Sequence, residues 1–211
     1  MALDLEEQEQ IDAIKGWWSD YGKLVMLVAI AVLVGIASVQ GWRYYRAQQA
    51  ERAATLFGQV VEAESAKDAK RVRDIAAKIV DNYASSQYAG MAALAAAKAG
   101  VTTGELDDAK KNLQWAADHA KEEELRDIAR LRLAGVLLDE KKYDDALKLL
   151  SAKTGDAFAM LYADMRGDVL VAQAKPADAR AAYQLALDKS DPGSPYRRLV
   201  EVKLDALGDA K

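Results

Sequence analysis

The chain has 211 residues and no cysteine, which is room for one soluble domain with a real core but leaves no disulfide framework, thiol nucleophile or Cys-ligated metal. The net charge of −4 resides in residues 1–23, where six acids face only Lys15 and Lys23, so the rest of the chain balances to zero. A neutral domain without a basic stripe is a poor nucleic-acid binder. Abundant Ala, two Phe, three Pro and no β-branched alternation predict an all-α fold.

Residues 1–22 read as a short acidic tail with Asp4, Glu6, Glu7, Glu9 and Asp12. Within it Ile11, Ile14, Trp17 and Trp18 recur at helical spacing, which allows an amphipathic helix leading into an apolar run. From Leu24 to Gln40 no charged residue occurs. Such a run, at about 1.5 Å per residue, suits a hydrocarbon core of about 30 Å. Trp17, Trp18 and Tyr21 precede it, and Trp42, Tyr44 and Tyr45 come after it, as two interfacial aromatic belts would. Lys23 and Arg43 close its ends. Residues 23–42 are therefore expected to form one uncleaved transmembrane helix. It holds no ionisable group for a proton or ion path. Ala31, Gly35 and Ser38 fall at i, i+4 and i+7 and form a narrow small-residue face against which a partner helix can dock.

Residues 43–211 are expected to form the folded domain. The first helix continues past Arg43 to about Glu64, and breaks come at Glu64–Asp68, Gly100–Gly104, Glu140–Lys142, Ala174–Lys175 and Asp191–Gly193. Ser194-Pro195 opens a last, capping helix that Gly208 ends. Three of the breaks are followed by an acid placed directly before an alanine: Asp108-Ala109, Asp145-Ala146 and Asp178-Ala179. A large residue comes four positions later (Leu113, Leu150, Tyr183), and a small one twelve earlier (Ala97, Ala134, Gly167). A weaker first copy is set at Asp74-Ile75-Ala76 with Val80. The four alanines are spaced 33, 37 and 33 residues apart, close to the tetratricopeptide period of about 34, with the extra residues assigned near Lys121–Glu124. The expected architecture is a tetratricopeptide-like solenoid of helical hairpins. In such arrays the first helix of each unit lines a binding wall. Met91, Leu94, Lys98, Leu131, Leu138, Leu161, Asp164 and Asp168 are the candidates here, with inter-repeat core as the competing role.

Catalytic chemistry finds little support. His119 stands without a second His or Cys, so no zinc spacing exists. The pairs Asp107/Asp108 and Asp144/Asp145 sit where helix-start acids belong, and a hydrolase built on them is the weakest functional alternative. No phosphate loop, nucleophile elbow or metalloprotease motif occurs. The chain is expected to be no enzyme and to need no cofactor or metal.

The junction EEQEQIDAIKGWWSDYGK before the apolar run, GWRYYRAQQ after it, and the blocks LRLAGVLLDEKKYDDALKLL and ADMRGDVLVAQAKPADARAAY resemble the YfgM-like family, ancillary subunits of the bacterial Sec translocon. The resemblance runs over essentially the whole length. It implies an inner-membrane protein with a cytoplasmic N-terminus and a periplasmic repeat domain. It also implies partnership with the SecYEG channel and with a membrane-anchored periplasmic chaperone of the peptidyl-prolyl isomerase type, in handling secreted polypeptides. No catalytic residue comes with it. Flanking charge points the other way, because Arg43, Arg46 and Arg52 against Lys15 and Lys23 favour a cytoplasmic domain. A tethered scaffold for another envelope complex, in cell-wall or outer-membrane assembly, is the alternative reading.

Overall fold

The computed structural model describes residues 2–208, with side chains from residue 9 onward. Asp4, Glu6 and Glu7 of the acidic tail therefore lie outside the described side chains. The described residues contain nine helices and no strand, as the composition predicts. α1 (Ala2–Ser65) is one uninterrupted helix, so the tail, the apolar run and the stretch after Arg43 share a single element. The chain divides into two compact units between Gln48 and Gln49.

The N-terminal unit consists of the first part of α1. Its apolar run is long enough to cross a membrane, and none of it is buried against protein. Leu24, Ile30 and Leu33 are each more than half exposed. At one end Trp17 packs on Tyr21 (5.8 Å between ring centroids), and at the other Trp42 packs on Tyr45 (6.3 Å) beneath the Arg46 guanidinium (5.1 Å).

The second unit holds the rest of α1 and eight further helices: α2 (Ala69–Asn82), α3 (Gln87–Thr103), α4 (Leu106–His119), α5 (Glu123–Asp139), α6 (Tyr143–Leu150), α7 (Asp156–Ala172), α8 (Pro176–Lys189) and α9 (Pro195–Ala206). From α2 onward successive helices pack as neighbours, and α5 also meets both α3 and α7, which is the contact pattern of stacked hairpins. Each hairpin turns on one residue with positive φ: Lys67, Gly104, Lys141 and Ala174. In every case the next amide donates to the carbonyl five residues back: Asp68 to Ala63, Glu105 to Gly100, Lys142 to Leu137 and Lys175 to Leu170, at 2.8–2.9 Å. These are four copies of one left-handed helix cap. α9 ends on a fifth, Gly208 with φ +68°. α9 thus holds the place of a first helix in a fifth copy of the repeat. Its N-terminus has the expected cap, with Tyr196 N–H donating to Ser194 Oγ and Pro195 at the first turn.

Counted between these turns, the repeat lengths are 37, 37, 33 and 34 residues. This corrects the register expected for the first copy. Val72, not Ala76, stands five residues after its turn, as Ala109, Ala146 and Ala179 do after theirs. Hidden sizes explain the slip. Units two and three cross helices with small, small, large side chains (Ala97, Ala109, Leu113; Ala134, Ala146, Leu150), all nearly inaccessible. Unit one fills the same three positions with Val60, Val72 and Ala76, also buried, and unit four with Gly167, Ala179 and Tyr183. Volume at the crossing is kept while the order of sizes changes, a substitution that cores tolerate. The third interval is short because α6 has 8 residues where α2, α4 and α8 have 14.

Polar contacts tie the turns to one another. Arg73 of α2 donates to Thr103 and Glu105 at the second turn (2.9 Å each), Lys110 of α4 donates to Glu140 at the third (2.5 Å), and Arg180 of α8 donates to the Gly208 carbonyl at the fifth. At the fourth turn the polarity reverses, and Gln173 donates to Asp144 of α6 (3.0 Å).

Candidate protein-binding surfaces

The small-residue face of α1 is exposed along its length. A side-chain carbon added at Gly35 would meet nothing within 4 Å, so the backbone there is open to a close neighbour. Ser38 already donates to the Val34 carbonyl (2.8 Å), and its hydroxyl needs no outside partner. With Ala31 it leaves a smooth strip rather than a polar handle.

The eight wall candidates fall on equivalent positions when counted back from the left-handed turns. Leu94, Leu131 and Asp164 lie ten residues before theirs, Lys98 and Asp168 six, Met91 and Leu161 thirteen, and Leu138 three. These offsets share one face of the first helix of each unit. The structure sorts them by exposure. Met91 is 39% exposed, and Leu131, Leu138 and Leu161 are half-buried, the first two packed on the core between units three and four. Leu94 is buried in the core between units two and three. Lys98 is exposed and reaches Glu64 of α1 (3.2 Å).

Asp164 and Asp168 are already occupied. Asp164 is 2% exposed and accepts from Lys203 Nζ through both oxygens (2.8 and 2.9 Å) and from Tyr196 OH (3.0 Å). Asp168 accepts from Lys203 (2.8 Å) and from Tyr183 OH (2.8 Å). The ammonium also lies 5.8 Å from the Tyr183 ring. Desolvation and the adjacent carboxylates push the Tyr183 and Tyr196 hydroxyls up, and the two carboxylates raise Lys203 against its own burial. This cluster joins α7 to α9 and leaves no carboxylate there for a ligand. Nothing in the sequence singled out Lys203. Its position, five before the turn, carries Glu62 in the first unit and the apolar Ala99, Val136 and Val169 in the next three, and the alignment of α9 as a fifth copy shows a lysine there.

A second polar cluster, without a motif in the sequence to mark it, centres on Asp127. Asp127, 1% exposed, accepts from Thr154 Oγ1 (2.8 Å), the Gly155 amide (3.2 Å), Tyr162 OH (3.0 Å) and Arg130 (3.1 Å). Burial, then the adjacent carboxylate, pushes the Tyr162 hydroxyl up to about 12. The cluster holds the loop that takes the place of the missing turns of α6. The acid pairs serve their helix starts, with Asp107 bridging to Lys110 (3.0 Å) and Asp108 to Lys111 (3.4 Å). His119 stacks on Trp115 (5.4 Å), and its Nδ1 lies 3.1 Å from the Trp115 carbonyl. Among the described residues no cluster of His, Asp or Glu is arranged to hold a metal ion.

Comparison with known proteins agrees with this architecture. A family model described as a tetratricopeptide repeat-like domain matches residues 15–209. Proteins named ancillary SecYEG translocon subunit are similar along nearly the whole chain. The protein of Neisseria gonorrhoeae is 32% identical over 208 residues, covering 98% of this chain and 100% of its own. That of Haemophilus influenzae is 30% identical over 215 residues (98% and 100%), and that of Escherichia coli 28% over 210 (98% and 99%). No solved structure matches. With the repeat turns, the apolar helix and end-to-end similarity in agreement, the chain belongs to the tetratricopeptide repeat-like family of ancillary SecYEG translocon subunits.

Proposed function

We propose that the chain is a non-enzymatic, membrane-anchored adaptor of the SecYEG channel in the bacterial inner membrane. The observation that carries this reading is the end-to-end similarity to proteins bearing that name, anchor included. Residues 1–22 are cytoplasmic, 23–42 span the bilayer, and 43–211 stand in the periplasm. The strip of Ala31, Gly35 and Ser38 meets a helix of the channel, where close backbone approach replaces the hydrophobic effect as the source of affinity. The repeat domain receives a membrane-anchored chaperone of the peptidyl-prolyl isomerase type and passes secreted polypeptides toward it. Met91, Leu131, Leu138 and Leu161 are the apolar part of that wall, with Lys98 at its edge.

Two measurements test the reading. A photoreactive side chain at Ala31 or Gly35 is expected to crosslink to a channel subunit in intact membranes, and absence of that product removes the assignment. Protease added after opening only the outer membrane is expected to digest the repeat domain. Protection, with cleavage after lysis, places the domain in the cytoplasm as the flanking arginines favour.

A further inference from the structure

The repeat alignment exposes a groove that recurs on the side of the second helices. One copy, of about 760 Å³, lies over α5 between α4 and α6; another, of about 380 Å³, lies over α7 beside α8. Their linings coincide position by position when counted from the turns: Leu137 with Leu170, Asp145 with Asp178, Leu149 with Ala182, and Ala152 with Leu185. Ala152 and Leu185 each stand eleven residues after a turn. The residue at that position in the preceding unit is Trp115, half-buried and packed against the core clusters on both of its sides. Of the two grooves, the larger has the smaller side chain at this position, Ala152 against Leu185. The shortened α6 leaves Ala152 beyond the helix end, where nothing large fills the space over the buried Leu133.

We infer that the α4–α5–α6 groove is a docking site for an aromatic side chain of a partner polypeptide, flanked by carboxylates, which enters where Trp115 enters one unit earlier. The aromatic preference comes from that internal template and from an apolar floor of Leu133, Leu137 and Leu149. The acidic flanks are set by the rim. Lys148 is exposed and makes no ion pair among the described residues, and Lys111 makes only an exposed contact of 3.4 Å to Asp108. Arg130 and Lys110 point their charge to Asp127 and Glu140 and are already satisfied. The two available lysines stand on either side of the opening against one acid, Asp145. A segment with carboxylates beside its aromatic residue matches this arrangement, and one with lysines is repelled. The site is separate from the wall of first helices and does not rest on the reading of function above.

The test uses the full chain in detergent micelles and a fluorescein-labelled peptide, Gly-Ser-Glu-Glu-Trp-Glu-Glu-Ser-Gly, followed by anisotropy at low salt. Two control peptides replace the Trp with Ala or the four Glu with Lys. The acidic Trp peptide is expected to bind at least about tenfold more tightly than either control, the range that loss of a buried aromatic anchor or reversal of flanking charge produces. Ala152→Trp, which fills the groove from within, is expected to lower the affinity at least about tenfold without lowering the melting temperature. The double charge reversal Lys111→Glu with Lys148→Glu changes exposed residues only, so it keeps the test decisive if Ala152→Trp does not fold; it is expected to weaken binding at least about fivefold. Equal binding of the Trp and Ala peptides, binding unchanged in the charge-reversed protein, or no binding to the wild-type chain overturns the proposal.

Discussion

Single positions in the repeat are constrained by what faces them one helix away. A side-chain carbon at Gly167 would stand 2.2 Å from Tyr183 Cε1, and the Tyr183 ring is pinned by Asp168 and Lys203. Gly167→Ala is therefore expected to cost about 1–3 kcal/mol, the range of overpacking in a tight core. Adding Tyr183→Leu recreates the Ala–Leu crossing of units two and three and is expected to recover most of that loss; denaturant melts of the two single variants and the double variant measure the coupling. Ala174 is the opposite case. It holds φ +57° where Gly104 and Gly208 serve in other copies, so Ala174→Gly is expected to raise stability by about 0.5–1 kcal/mol. The repeat was legible through these small residues because close helix crossings leave few acceptable side chains. The swap of sizes in unit one was not, since Val60 with Ala76 satisfies the same volume by a different order.

The helix that departs from its copies is α6, and Asp127 is what its shortness requires. A buried carboxylate serves in place of helix hydrogen bonds for the loop at Thr154 and Gly155. Asp127→Ala leaves those donors and Tyr162 without a partner and is expected to cost about 3–4 kcal/mol, with faster amide exchange at Gly155. Tyr162 makes the same joint sensitive to alkali. Its folded value of about 12 exceeds the value near 10 of the unfolded chain. Between the two the unfolded state binds fewer protons, so stability is fully present below about pH 10 and falls as pH rises toward 12, by up to about 2–3 kcal/mol from this group alone. Tyr183, Tyr196 and Lys203 shift in the same direction and add to the decline. Melts at pH 8 and pH 11.5 are expected to show a smaller difference in Tyr162→Phe than in the wild type. The break after Glu140 was legible in the sequence, but the early end of α6 at Leu150 was not. The reason for that end lies in the bonds that Asp127 accepts from Thr154, Gly155 and Tyr162, residues 27 to 35 positions away.

At the scale of the whole molecule the repeat unit from Gln49 onward carries four core clusters that together link all of its helices. Residues 49–211 expressed without the apolar helix are expected to give a soluble, helical protein with a cooperative melt; a non-cooperative melt would mean that the core needs the anchor. Local spacing along the chain is enough to specify the anchor and the hairpins. A charge-free run between aromatic belts marks the anchor, and small and large residues returning at a near-constant interval mark the hairpins, because membrane thickness and helix crossing impose those patterns on neighbouring residues. Which side chains remain free depends instead on how the units stack in space. Asp164 and Asp168 lie on the face expected to meet a partner, yet Lys203 closes them. Ala152 looks like any other alanine until the turns align it with Trp115. Occupancy of a repeat position depends on the residue that the next unit brings against it, and that pairing is set by stacking in space rather than by spacing along the chain.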